Sequence, residues 1–79
     1  MAKVLLFGRL ADQAGWRQRD VDASDLTMLR ASLTDTDPAL GEALVAAGVQ
    51  VAVDKTIVRG DIALTTATEV AFLPPMSGG

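Results

Sequence analysis

Few side chains in this 79-residue chain can do chemistry, because it contains neither cysteine nor histidine. Thiol nucleophiles, thiolate metal sites, disulfides, the usual general base and the commonest metal ligand are all removed at once. The reactive group that remains is at the C-terminus, where the chain ends FLPPMSGG. The α-carboxylate of Gly79, with a reference pKa of about 3.3–3.7, is ionised at neutral pH and can attack the α-phosphate of ATP. The product would be an acyl-adenylate, an activated carboxyl awaiting a nucleophile.

The residues before that carboxylate suit its delivery. Pro74 and Pro75 fix φ and withhold backbone donors, so the last strand must stop there and the tail is expected to leave the domain extended. Six extended residues, Pro74, Pro75, Met76, Ser77, Gly78 and Gly79, reach about 20 Å at ~3.3 Å each. Gly78 and Gly79 carry no Cβ and can thread a narrow channel on another protein. A Gly-Gly end also occurs as a frayed terminus. A rigid proline pair directly off an apolar strand argues instead for a working tail, which divides the chain into a domain over 1–73 and a tail over 74–79.

The elements that must hold this tail read as a small α+β domain. KVLLFGRL is strand-like and apolar on both parities, ADQAG offers Gly15 as a turn or cap, and WRQRDVDA reads as a more polar strand suited to a sheet edge. In SDLTMLRASL, Ser24 can cap, Asp25 complements the helix dipole, and Leu26, Leu29 and Leu33 share one helical face. DPALGEALVAAG predicts a second, shorter helix capped by Asp37, with Pro38 in its first position, Leu40 and Leu44 on one face and Gly48 as its stop; Gly41 weakens it. VQVAVD, TIVRG and EVAFL return to strands. The expected architecture is a mixed sheet of four to five strands with helices packed on one face, the first and last strands side by side.

One-sided helices would leave an apolar patch on the other face of the sheet. If Val70 and Phe72 face the helices, Ala71, Leu73, Leu5 and Phe7 face away, and Ile57 extends the same surface. Such a patch in a small domain predicts docking, centred on Phe7, Ile57 and Leu73, with Arg9 and Arg59 at its rim. Scattered exposed apolar side chains also occur without any such role. Trp16, the single tryptophan, reads as a loop residue packed on the core.

The net charge is −3, and the seven basic residues are scattered rather than arranged in a stripe, which argues against a nucleic-acid partner. No apolar stretch approaches the roughly 20 residues of a membrane span, and the start is too short for a signal peptide, so a cytoplasmic protein is expected. The acidic residues form no oxygen-ligand loop: DTDP reads as a helix cap, not a cation site. GRLADQAG lacks the Gly-Lys-Ser/Thr ending of a phosphate loop. The domain is expected to bind no metal or cofactor of its own.

EVAFLPPMSGG resembles the C-terminal signature of the small, sulfur-carrying subunit of molybdopterin synthase, a ubiquitin-like β-grasp family. VAVDKTIVRGDIAL and KVLLFGRLADQAG extend the resemblance over essentially the whole chain. It departs at TTATEV, where the family often has an Asp-Gly-Asp-like turn, and at Asp54-Lys55, where an Asn-Gln pair is common. The resemblance implies that a ubiquitin-activating-like adenylyltransferase uses ATP to adenylate Gly79, and that a sulfur donor system converts it to a thiocarboxylate. It also implies a heterotetramer with the large synthase subunit, in which the tail gives sulfur to cyclic pyranopterin monophosphate during molybdenum cofactor formation. Related carriers for thiamine thiazole synthesis or tRNA thiolation share the same terminal chemistry, and a ubiquitin-like modifier or plain binding module is the remaining alternative.

Overall fold

In the computed structural model, residues 1–75 are described. Among them the chain forms five strands and three helices: β1 (Ala2–Leu6), α1 (Gly8–Ala14), β2 (Gln18–Val21), α2 (Leu26–Thr36), α3 (Pro38–Leu44), β3 (Gln50–Val53), β4 (Thr56–Val58) and β5 (Glu69–Leu73). The strands make one mixed sheet in the order β2-β1-β5-β3-β4. β1 and β5 pair in parallel at its centre, with Val4 opposite Val70, and the other pairings are antiparallel. This is the α+β, ubiquitin-like β-grasp arrangement, and the first and last strands do lie side by side.

The core follows from two periodicities. Val4, Leu6, Val51, Val53, Val70 and Phe72 alternate onto one face of the sheet and are almost fully buried. Leu26, Leu29 and Leu33 of α2 and Leu40 and Leu44 of α3 close over them. Trp16 is half-buried against this cluster, as expected, and the Arg19 guanidinium stacks 4.4 Å from its ring centroid.

Three local readings are corrected. GRL does not continue the first strand: Gly8 turns the chain into α1, which runs on through ADQA, and Gly15 caps it in the left-handed region. The cap of α2 is Asp25, not Ser24; its carboxylate accepts from Met28 N–H at 2.7 Å, while Ser24 Oγ contacts the Met28 sulfur. α3 ends at Val45 through short-range bonds to Glu42 and Ala43, ahead of the expected stop at Gly48. Asp37 serves two helices, donating its N–H to Leu33 O and accepting from Leu40 N–H. Pro38 stands at the start of α3 as expected.

Gly41 is buried where α3 meets α2, and a Cβ there would come within 2.7 Å of Thr34 Cγ2. The residue that weakens α3 as an isolated helix is what allows it to approach α2. The segment between β4 and β5 is laced to the start of α2: Leu26 N–H donates to Ile62 O, Leu64 N–H to Ser24 O, and Thr27 N–H to the Asp61 carboxylate.

Candidate functional site

The sheet carries its helices on one face, and register determines what the other face shows. Leu5, Ala71, Ala52 and Ile57 are consecutive partners across β1, β5, β3 and β4 and form an apolar row on the open face. Ala52 and Ala71 are well covered yet stand outside the main core cluster, because they are small side chains between larger neighbours on this side. Ile57 is 47% exposed and Phe7 45%. One residue pair back along the strands the face turns charged, with Asp20 opposite Lys3 and Lys3 opposite Glu69. In the other direction lie Phe7, Leu73 and Gln50, at the end where the chain leaves the sheet.

The structure therefore brings Phe7, Leu73 and Ile57 to one face, with Leu5 between them, as the alternation predicts. Arg59 follows directly on β4, exposed at that edge. Arg9 is placed elsewhere: it lies in α1, on the helix side, and lines a groove of about 310 Å³ with Leu10, Gln13, Ala43, Val49 and Pro75. Ala52 is the member of the row that alternation from the last strand alone did not reach; its signal is the VQVAVD pattern itself, which leaves Ala52 on the parity opposite the valines.

Leu73, Pro74 and Pro75 are half-buried, so the proline pair remains against the domain. Pro74 lies against Gly8 at the start of α1, and Pro75 against Gly48 in the α3–β3 loop. The remaining tail residues Met76, Ser77, Gly78 and Gly79 lie outside the described residues. Phe7 N–H donates to Phe72 O at 3.3 Å, which ties the β1–α1 junction to the last strand at the point of exit.

Hydrogen bonds, that of the Thr27 N–H foremost, hold the Asp61 carboxyl below the ordinary value of 3.8, while partial desolvation opposes them. Among the described residues no group of three acidic side chains is placed to hold a metal ion, and no helix is long and apolar enough to cross a membrane.

A mixed five-stranded sheet in this order, with its helices on one face, is the ubiquitin-like β-grasp fold. The ThiS family model matches residues 4–79, and the chain belongs to that family of ubiquitin-like sulfur carriers. No curated protein matches the sequence significantly. Among solved structures it is similar to the solution structure of small archaeal modifier protein 1 (SAMP1) from Methanosarcina acetivorans, at 24% identity and a TM-score of 0.88, covering 99% of this chain and 95% of that one. SAMP1 from Haloferax volcanii is similar at 26% identity and a TM-score of 0.81, covering 99% and 98% of the two chains. Urm1 from Sulfolobus solfataricus shares the fold at 18% identity and a TM-score of 0.69, covering 91% and 97%.

Proposed function

We propose that this carrier is the small subunit of molybdopterin synthase, and that its Gly79 carboxylate transports sulfur. The observation that carries the reading is the exit itself: a central strand, paired on both sides, runs directly into Pro74-Pro75 and the SGG ending, beside an apolar face open to a partner. In the first step the carboxylate oxygen attacks the α-phosphate of ATP on an activating enzyme and expels pyrophosphate. A sulfide-level sulfur then attacks the acyl carbon, AMP leaves, and a thiocarboxylate remains. Two deliveries to cyclic pyranopterin monophosphate, in the large subunit, would build a dithiolene.

With no cysteine or histidine, the domain brings no base or nucleophile of the usual kinds, and the reading assigns the catalytic groups to its partners. Phe7, Leu5, Leu73 and Ile57 supply the docking face, with Arg59 at its edge. The particular acceptor rests on EVAFLPPMSGG; carriers for thiazole synthesis or tRNA thiolation would use the same steps.

A second reading is favoured by the likeness to two SAMP1 structures, whose names describe modifiers: the adenylated terminus is transferred to lysines of other proteins. One experiment separates the readings. The protein and a Gly79 deletion are incubated with ATP, a sulfur donor and extract of the source organism, then weighed intact. Replacement of one oxygen by sulfur, in the full-length chain alone, is the expected result, and addition of large subunit and cyclic pyranopterin monophosphate should discharge it. Isopeptide adducts on lysines would favour the modifier. An unchanged mass in an extract that charges a known carrier overturns the carrier reading.

A further inference from the structure

Pro74 and Pro75 are held by two glycines from distant parts of the chain. At Gly8, φ is +55° and a Cβ would lie 3.1 Å from Pro74 Cγ; at Gly48, φ is +88° and a Cβ would lie 2.6 Å from Pro75 Cβ. Both positions thus combine a backbone angle that disfavours side chains with a space already filled by the proline beside it. Gly15 supplies the contrast. Its φ of +84° is nearly that of Gly48, yet nothing lies within 4 Å of where its Cβ would be. Helix capping accounts for Gly15, and it accounts for neither contact at Gly8 or Gly48.

We propose that Gly8 and Gly48 are positioning residues for the terminal carboxylate: they form a seat that fixes the proline pair, and so the place and heading of the chain at Pro75, to which the carboxylate is tethered. The seat is built from parts that cannot shift independently. Gly8 follows Phe7, which is bonded to Phe72 O, and Gly48 precedes β3, which pairs with β5 from Gln50 opposite Leu73. Proline suits the seated partner because its ring holds φ and needs no donor satisfied. A tail launched in a fixed direction reaches an active site with less orientation to lose, and a misplacement of about 1 Å at a reacting group costs on the order of 10²-fold in rate.

This rests on the carrier reading, so its test has an arm that does not. Gly48→Ala, Gly8→Ala and the control Gly15→Ala are made in the full chain, each also with Met76→Cys carrying a spin label, since the sequence has no other cysteine. Paramagnetic broadening of amides near Phe7 and Gly48 reports where the label sits. The broadening pattern should change strongly in Gly48→Ala, less in Gly8→Ala and not in Gly15→Ala, although Gly15→Ala and Gly48→Ala both lower Tm through their positive φ. With the unlabelled proteins and the activating enzyme, kcat for adenylation should fall between about tenfold and 10²-fold in Gly48→Ala. KM should stay within about twofold, because the docking face is intact.

Equal behaviour of all three variants in label position and kcat overturns the seat. Should Gly48→Ala not fold, Gly8→Ala, with the milder contact, carries the same test against Gly15→Ala. A wild-type protein that is never adenylated overturns the carrier reading instead, and the label pattern then decides the seat alone.

Discussion

At the scale of single residues, Asp61 does a task usually left to the helix's own first turn. Its Oδ1 accepts from Thr27 N–H at 2.9 Å and from Ile62 N–H at 3.0 Å, so a loop carboxylate satisfies a free donor of α2 from 34 positions away. Because these bonds favour the ionised form, the folded pKa lies below the unfolded one. Its contribution to stability is therefore complete above about pH 4 and is lost as pH falls through the unfolded and then the folded value. Asp61→Asn keeps an acceptor but cannot titrate, so its Tm should fall less than the wild type's between about pH 4 and pH 2. Parallel slopes in thermal melts over that window would refute this linkage.

Lys55 illustrates the opposite case, a local cost. In the turn joining β3 to β4, Asp54 and Lys55 have φ of +48° and +70°, angles that the hairpin needs and non-glycine residues resist. Asp54 is compensated, since its Oδ1 accepts from Glu69 N–H and its own N–H donates to Glu69 O. Lys55→Gly should accordingly raise stability by about 0.5–1 kcal/mol, the αL strain relieved minus the added chain entropy, as chemical denaturation would measure.

Between elements, the contact of α2 with α3 turns on Gly41. Helix propensity alone says that Gly41→Ala stabilises by about 1 kcal/mol. The contact with Thr34 reverses the sign: Gly41→Ala should cost roughly 1–3 kcal/mol through overpacking, and in a Thr34→Ala background the same change should be neutral or stabilising. A double-mutant cycle by denaturation reads the coupling directly. Gly41 also shows how far sequence carries. The leucines of α2 and α3 and the valines of β3 declare their faces by spacing, since burial repeats with the element's own period. α1 was hidden because it is only seven residues long, has no side-chain cap, and directly follows an apolar strand with no break in the pattern between them. The apolar row of the open face was legible through Phe7, Leu73 and Ile57. The seat of the prolines was not, because a glycine after a helix reads as a stop, and its second requirement comes from a residue far along the chain.

For the whole molecule, one face packs a core and the other offers a surface, so the two should respond differently to mutation. Phe72→Ala, at a fully buried site, should cost about 3–5 kcal/mol and abolish activity by unfolding. Ile57→Thr keeps the β-branch that the edge strand favours and should change stability by no more than about 0.5 kcal/mol. On the proposed docking role its affinity for the activating enzyme should nevertheless drop about tenfold, equivalent to roughly 1.4 kcal/mol, measurable by calorimetry. Unchanged affinity would remove Ile57 from the docking face.

The parallel pairing of β1 with β5 bears on how the chain is made. β1 can pair with β2 early on one side, but on the other side residues 3–6 meet their partners only at residues 69–72, so the middle of the sheet cannot close while a ribosome still holds the later segment. Until then the helices have no complete floor, and the emerging polypeptide remains open to chaperones and proteases. A product broken off before Glu69 lacks the central strand as well as everything that follows it. Partners that recognise the finished sheet are thereby shielded from most prematurely terminated copies, which would otherwise occupy them with nothing to deliver.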